Sequence, residues 1–368
     1  MSTPGPDSWQ ELFAKNSDGV SVTHHAVSRG GKPFLFLPTD SRAAKVALNI
    51  YPAQTAKARL AKSALRLLLR LGLRPGLQSS SLPISDTDPF VAFLRATARV
   101  EPGEPFCFAV LSGNPSAPGR RHVFLLFNSS SQPVAVVKAG ASSRAKELIA
   151  HETAILSGFG SDRTGLPTLT GVCELDSLSA FALDYIEGTS PSDDSNTELE
   201  KIFLSWVDSK IETALGETDA WKRLVQSCAP SEMPEAVRQL ATRRVHPVLM
   251  HGDFAPWNVK ASHCGWTVLD WERGERVGIP AWDWFHFVVQ PAVLVRREAT
   301  EATLQKLSTL FASHEFQRYA AQTGIVGLEW TLALAYVEFC IHVTQQTEGL
   351  NLLKPLRAAL IERLATKR

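Results

Sequence analysis

The spacing of apolar and polar positions changes period several times along the chain, and each change marks an expected element. Residues 20–27 and 33–38 are β-prone runs separated by a segment carrying Gly30-Gly31, which predicts a hairpin. Asp40 or Ser41 is placed to cap a helix running to about residue 51, and a second helical pattern over 54–71 ends at Gly72. Residues 1–18 are polar and expected to be loosely held. Residues 74–100, with Pro75, the Ser79-Ser80-Ser81 run and Pro83, read as a linker with a short helix near 88–97. Strands are expected over 106–111, 122–127 and 134–138, then a helix over 142–158, then strands over 166–170 and 181–186. A polar segment over 190–196 leads into expected helices at about 197–215, 219–227 and 234–244, and the chain beyond residue 287 is helical by pattern.

The helix expected over 54–71 has two distinct rows. Leu60, Ala64, Leu67, Leu68 and Leu71 recur at helical spacing, while Arg59, Lys62, Arg66 and Arg70 form a basic stripe, and no acidic residue lies between Asp40 and Asp86. Leucine and alanine suit docking onto the rest of the chain with the basic face in solvent, which is the reading preferred here. Contact with an anionic membrane surface is the alternative.

The stretch from Val248 to Glu272 carries the candidate chemistry. A short apolar run precedes a polar loop with His251, Asp253 and Asn258, and a second apolar run ends in Asp270. These side chains are expected at strand ends, facing one space. One carboxylate there can accept a proton, and an amide with a second carboxylate offers oxygen ligands to a hard divalent ion. Phosphoryl transfer from a nucleotide needs that set. Singly, each residue has an ordinary explanation: a histidine before a turn, an Asp-x-x-Pro turn opener, an aspartate that ends a strand.

Together, His251-Gly252-Asp253 with Asn258 five residues after the aspartate, then Leu269-Asp270-Trp271-Glu272, resembles the aminoglycoside phosphotransferase and choline kinase-like family, which is related to protein kinases. The aspartate-to-asparagine spacing also matches the kinase catalytic loop, and Asp270 matches the aspartate of D-F-G. The resemblance implies an α+β, bilobal protein-kinase-like fold. A small antiparallel-sheet N-lobe would occupy 101–187 and a mostly helical C-lobe 188–368. Residues 1–100, which no motif covers, would form an N-terminal extension that completes the small lobe or covers one of its faces. By the same resemblance Asp253 is the catalytic base, Asn258 and Asp270 hold Mg²⁺, and His251 braces the loop.

The resemblance extends upstream. Lys138 ends Pro133-Val-Ala-Val-Val-Lys138, similar to the V-A-I-K strand of kinases, and an ion pair with Glu152 would hold it toward the α- and β-phosphates of ATP or GTP. Glu147 competes for that lysine from a different face of the same helix. The loop 112–121, with Gly113, would lie over the phosphates, although it is not a glycine-rich motif and its two prolines lack N–H donors. The segment from Asp184 through Ile186 to Gly188 would join the lobes and offer its backbone to an adenine edge, with the nucleotide between the lobes. Asp283 is expected to cap the helix it opens and to hold the catalytic loop. Trp257, Trp271, Trp282 and Trp284 are read mainly as core, with stacking on a sugar or base as the alternative.

Composition narrows the partners. The chain has 44% hydrophobic and 20% charged residues, with 38 basic against 37 acidic, so its net charge points to no nucleic acid and to no acidic partner. Five scattered cysteines without a C-x-x-C argue for reduced thiols and a cytoplasmic setting, and His263-Cys264 reads as a turn between strands. No secretory h-region and no apolar run of membrane-spanning length is apparent. The expected activity is ATP-dependent transfer of the γ-phosphoryl group to a hydroxyl of a small molecule such as a sugar, an aminoglycoside or an amino alcohol. The rival reading is a pseudokinase, a nucleotide-sensing or scaffold module, suggested by the loop 112–121 and the unmatched N-terminal hundred residues.

Overall fold

Gly30 and Gly31 both adopt positive φ, 57° and 77°, and close the first hairpin as a two-residue turn whose twist matches its strands. The hairpin joins β1 (Val20–Arg29) to β2 (Lys32–Pro38). The structure is a computed structural model that describes residues 8–14, 20–51, 53, 56–74, 76–114, 119–159, 163–191, 196–229, 231–344 and 352–366. The chain divides into two compact units, one of Met1–Ser157 with Pro167–Ile186, the other of Gly158–Leu166 with Glu187–Arg368.

The first unit is built on one eight-stranded sheet whose paired neighbours are all antiparallel. After the hairpin come α1 (Ser41–Ala47), α2 (Ala56–Arg70), β3 (Gln78–Ile84) and α3 (Pro89–Ala98). Then follow β4 (Cys107–Ser112), β5 (His122–Phe127), β6 (Pro133–Gly140), α4 (Ser143–Ser157), β7 (Leu169–Glu174) and β8 (Ser179–Asp184). Strand order is β3-β1-β2-β4-β5-β6-β8-β7. Residues 20–84 therefore extend the sheet that β4 begins, completing it rather than standing apart as a separate body.

Both faces of this sheet are covered, which explains the near-continuous apolar run of β5. Phe124 and Leu126 face a core with Trp9, Phe13, Phe90, Leu94 and Phe108, while Leu125 and Phe127 face another with Leu35, Leu37, Ala43, Leu48 and Leu69. Asp88 caps α3 by accepting the Phe90 N–H at 2.8 Å. Two expectations fail here. The N-terminal segment is not loose throughout: Trp9, Leu12 and Phe13 are buried, because aromatic area outweighs the polar residues around them. The serine run is not linker: Ser79, Ser80 and Ser81 lie in β3, an edge strand where Pro83 and short polar side chains are tolerated. Pro75 and residues 115–118 of the loop lie outside the described residues, as do 1–7, 15–19 and 192–195.

Helix α2 reverses the expected orientation. Leu69 is buried and Leu65 partly so against the second core, and Lys62 and Arg66 turn inward, donating to Tyr51 O at 2.9 Å and Asn49 Oδ1 at 2.6 Å. Leu60, Leu67 and Leu71 lie outside. Two accessible oxygens on the preceding turn capture the cations, and the leucine row takes the opposite side.

The second unit is mostly helical. It contains α5 (Asn196–Ser205), β9 (Thr213–Ala214), α6 (Asp219–Ser227), α7 (Glu235–Gln239), β10 (Arg244–Val245) and β11 (Val248–Met250). Beyond these lie β12 (Val259–Ser262), β13 (Gly265–Val268), β14 (Glu275–Gly278), α8 (Trp282–Gln290), α9 (Thr300–Ala312), α10 (His314–Thr323), α11 (Glu329–His342) and α12 (Lys354–Ala365). Its core centres on Phe203, Trp206, Phe254, Trp271, Trp284 and Tyr319. The helix expected over 197–215 stops at Ser205 because Trp206 O accepts the Leu249 N–H at 2.9 Å and Val207 bridges to Val248. The helix expected over 234–244 is shorter because β10 pairs with β9. An antiparallel-sheet unit and a mostly helical unit give the chain an α+β fold.

Candidate active site

The twelve-residue spacing between Asn258 and Asp270 is explained by a hairpin. β12 and β13 pair with Val259 opposite Val268, closed by Ser262 to Gly265, so the residues flanking the hairpin base come side by side. Leu269 N–H donates to Asn258 O at 2.7 Å and seals that base. His263-Cys264 forms the turn, as its spacing suggested.

A closed set of hydrogen bonds then fixes the loop before the hairpin. Asn258 Nδ2 donates to Asp253 O at 2.9 Å and to Asp253 Oδ2 at 3.0 Å. Asp253 N–H donates to His251 Nδ1 at 3.2 Å, and His251 Nε2 lies 2.9 Å from Leu269 O. Because Nδ1 accepts, the proton of a neutral ring sits on Nε2 and is donated to Leu269 O. Burial pushes His251 down to about 4, despite the nearby Asp253 carboxylate, so the ring is neutral near pH 7. His251 is thus held as a neutral ring between Asp253 N–H and Leu269 O.

Gly252 explains the middle of the motif. Its φ is 77°, and a Cβ there would lie 2.7 Å from Arg273 O. Beneath it, Asp283 Oδ2 accepts from His251 N–H at 2.6 Å and Oδ1 from Gly252 N–H at 2.9 Å. Asp283 does not cap α8: the residue before that helix is Ala281, at φ 68°, and no side chain caps there. From the first turn of α8 the carboxylate reaches the loop instead. Burial pushes Asp283 up to about 7, against the two N–H groups that favour its charged form.

Asp253 is held differently. Burial alone would raise its carboxyl, but His286 beside it, with Arg273 and His251, holds it below the usual carboxylate range. His286 Nε2 lies 3.1 Å from Asp253 Oδ1, and its Nδ1 lies 3.2 Å from the Tyr336 hydroxyl, which accepts from Gln290 Nε2 at 3.2 Å. None of these three was assigned a role from the sequence. The available signal was a histidine three residues after Asp283 in an otherwise apolar run, which puts both on one face of α8.

Asp270 follows β13 directly and has φ 72°, a left-handed conformation that aspartate tolerates better than most residues. The donor set fits a hard divalent ion. With its Nδ2 committed to Asp253, Asn258 could offer Oδ1 to such an ion, and Asp270 could add a carboxylate from the adjoining strand end. Trp271 is buried, donates Nε1–H to Val268 O at 2.8 Å and packs edge-on against His251. Trp282 and Trp284 are also core, and Trp257 is half-buried.

The first unit carries the remaining candidates. Lys138, near the end of β6, donates to Glu152 Oε1 at 2.7 Å and Oε2 at 2.9 Å, and Glu152 on α4 is fully buried. Glu147 is exposed and pairs with Arg144, so the pairing follows helix face. Gly113 N–H donates to Arg121 O at 3.0 Å, and a Cβ at Gly113 would lie 2.3 Å from that oxygen. The glycine closes the β4–β5 loop, and its N–H is committed there. Asp184, exposed at the end of β8, pairs with Ala135, Tyr185 N–H donates to Val134 O at 3.0 Å, and Ile186 is half-buried.

No family model and no curated protein matches the chain. Solved structures that match include a thermostable mutant of the aminoglycoside phosphotransferase APH(4)-Ia in ternary complex with AMP-PNP and hygromycin B, at 13% identity and TM-score 0.46, covering 74% of this chain and 97% of that one. Another is the streptomycin-ATP-APH(2")-IIa ternary complex, at 15% identity and TM-score 0.43, covering 73% of this chain and 96% of that one. No helix among the described residues is long and apolar enough to cross a membrane.

Proposed function

We propose that the chain is an ATP-dependent phosphotransferase that moves the γ-phosphoryl group to a hydroxyl of a small molecule. The observation that carries this reading is the Asp253 carboxylate, ionised by its surroundings and oriented by Asn258 in a loop pinned to Asp283. Asp253 orients the acceptor hydroxyl and takes its proton as the new P–O bond forms and the bond to the departing ADP breaks. Asn258 Oδ1 and the Asp270 carboxylate would hold Mg²⁺, which would neutralise charge on the phosphate oxygens. Lys138, oriented by Glu152, meets the α- and β-phosphates. Catalysis on this plan is mostly positioning and charge stabilisation. Sugars, aminoglycosides and amino alcohols are the acceptor classes proposed, and a half-buried Trp257 beside the loop suits a sugar ring.

The test is thermal stabilisation by ATP and by GTP, with and without Mg²⁺, for wild type and Asp270→Ala, followed by an acceptor screen. Magnesium-dependent stabilisation that disappears in Asp270→Ala supports the site. Stabilisation by nucleotide with no turnover on any hydroxyl, water included, would move the reading to a nucleotide-sensing module.

A further inference from the structure

We propose that α2 seats the protein on an anionic membrane surface, with its leucine row in the headgroup region. This is independent of the phosphotransferase reading. Leu60, Leu67, Leu71 and Leu73 are 73%, 57%, 65% and 51% exposed, a concentration of large apolar side chains within fourteen positions. Leu60, Ala64, Leu67 and Leu71 follow one another at steps of four, three and four, which at 3.6 residues per turn draws a single line along the helix. The same geometry sets Lys57 on one flank of that line and Arg59 and Arg70 on the other, all three exposed.

The outward row is not a loosely docked core face. α2 is anchored from its other side by Leu65 and Leu69 and by the bonds from Lys62 to Tyr51 O and from Arg66 to Asn49 Oδ1. Using cations inward and leucines outward leaves a fixed apolar ridge between basic borders. Charge decides the occupant. With no acidic residue between Asp40 and Asp86, a second copy laid against this face would set Lys57, Arg59 and Arg70 against their equals with nothing on the helix to offset them. Anionic headgroups complement those borders, and long basic side chains reach them while their stems lie along the apolar boundary. The contact is peripheral, since α2 spans only Ala56–Arg70.

The experiment is co-sedimentation of the full chain with phosphatidylserine-containing vesicles and with phosphatidylcholine vesicles, at low and high salt. Leu60→Ser/Leu67→Ser and Arg59→Glu/Arg70→Glu serve as variants, and thermal midpoints confirm that these exposed changes leave the fold intact. The expected result is pelleting on anionic vesicles alone, about tenfold weakened by salt, and lost in both variants. Failure of the wild type to pellet with anionic vesicles overturns the proposal, as does equal pelleting of the variants. A reversible dimer in sedimentation equilibrium, abolished by the leucine pair and without vesicle binding, would assign the face to a second copy instead.

Discussion

His286 Nε2 stands 3.1 Å from Asp253 Oδ1, on the side of the carboxylate opposite Asn258, which holds Oδ2 at 3.0 Å. Behind the ring, Nδ1 lies 3.2 Å from the Tyr336 hydroxyl, which accepts from Gln290 Nε2 at 3.2 Å. The proposed base is thereby flanked at both oxygens. His286→Ala is expected to lower kcat by about 10- to 100-fold, the range for a displaced catalytic group, while affinity for magnesium-nucleotide is unchanged. Partial recovery in His286→Gln, which retains a donor, would separate positioning from loss of packing. Equal losses of kcat and of nucleotide affinity would refute the role.

Lys138 and Glu152 form a pair in which the acid is wholly buried and the ammonium nearly so. Removing one partner takes this ion pair from the other in low dielectric, a change that typically costs about 3–5 kcal/mol. Glu152→Ala should therefore destabilise the protein by roughly that amount, and a Lys138→Met/Glu152→Gln double variant should be less destabilised than the sum of its singles. Urea midpoints give the cycle. Nucleotide affinity should fall in every variant that lacks Lys138, and retention of full affinity in Lys138→Met would remove the lysine from the site.

Much of this arrangement was legible because it is local. The Gly30-Gly31 turn, a cap at Asp40 or Ser41 (Asp40 supplies it), the short helix near 88–97 and the strand ending near Lys138 follow from short-range rules. Helix face allowed only one of Glu147 and Glu152 to reach Lys138, and the family resemblance around His151–Leu156 pointed to Glu152, the glutamate that makes the pair. What was not legible depends on distant partners. β3 is a serine-rich strand only because β1 offers it an edge, and Trp206 leaves its helix because β11 claims its carbonyl. The inward turn of Lys62 and Arg66 rests on two oxygens at positions 51 and 49 that periodicity does not weigh. His286 was invisible for a related reason: its significance comes from Asp253, thirty-three positions earlier, and from Tyr336, fifty later.

Asp283 joins α8 to the proposed catalytic loop through the N–H groups of His251 and Gly252. Each bond to a carboxylate is worth about 1.5–3 kcal/mol, set against the cost of burying the charge. Asp283→Ala should lower stability by roughly 2–4 kcal/mol and should reduce kcat more than any exposed substitution on α2. Asp283→Asn keeps one acceptor and turns an NH₂ toward a second N–H, so it should recover little activity. Wild-type turnover in Asp283→Asn would show that the loop holds its shape without the carboxylate.

Stability should fall in acid, and His24 should account for much of the fall. Its ring is buried with Nε2 2.8 Å from Phe108 O, and burial pushes it from 6.5 down to about 4. Between those values the unfolded chain binds a proton that the folded chain refuses, so stability rises with pH across that window and is lost as pH falls through it. The displacement corresponds to about 3 kcal/mol. His251 acts in the same direction, but Asp283 opposes it. The Asp283 carboxyl, raised to about 7, keeps its proton in the folded state from roughly pH 4 to 7 while the unfolded chain releases it, so its contribution falls as pH rises. The two offset within the helical unit, and His24 in the sheet unit has no such counterweight among the described residues with large shifts. His24→Gln, whose amide can still donate to Phe108 O, should flatten the dependence of the thermal midpoint on pH between 4 and 6.5, the ring's folded and ordinary values. An unchanged slope in His24→Gln would mean that the acid sensitivity lies elsewhere.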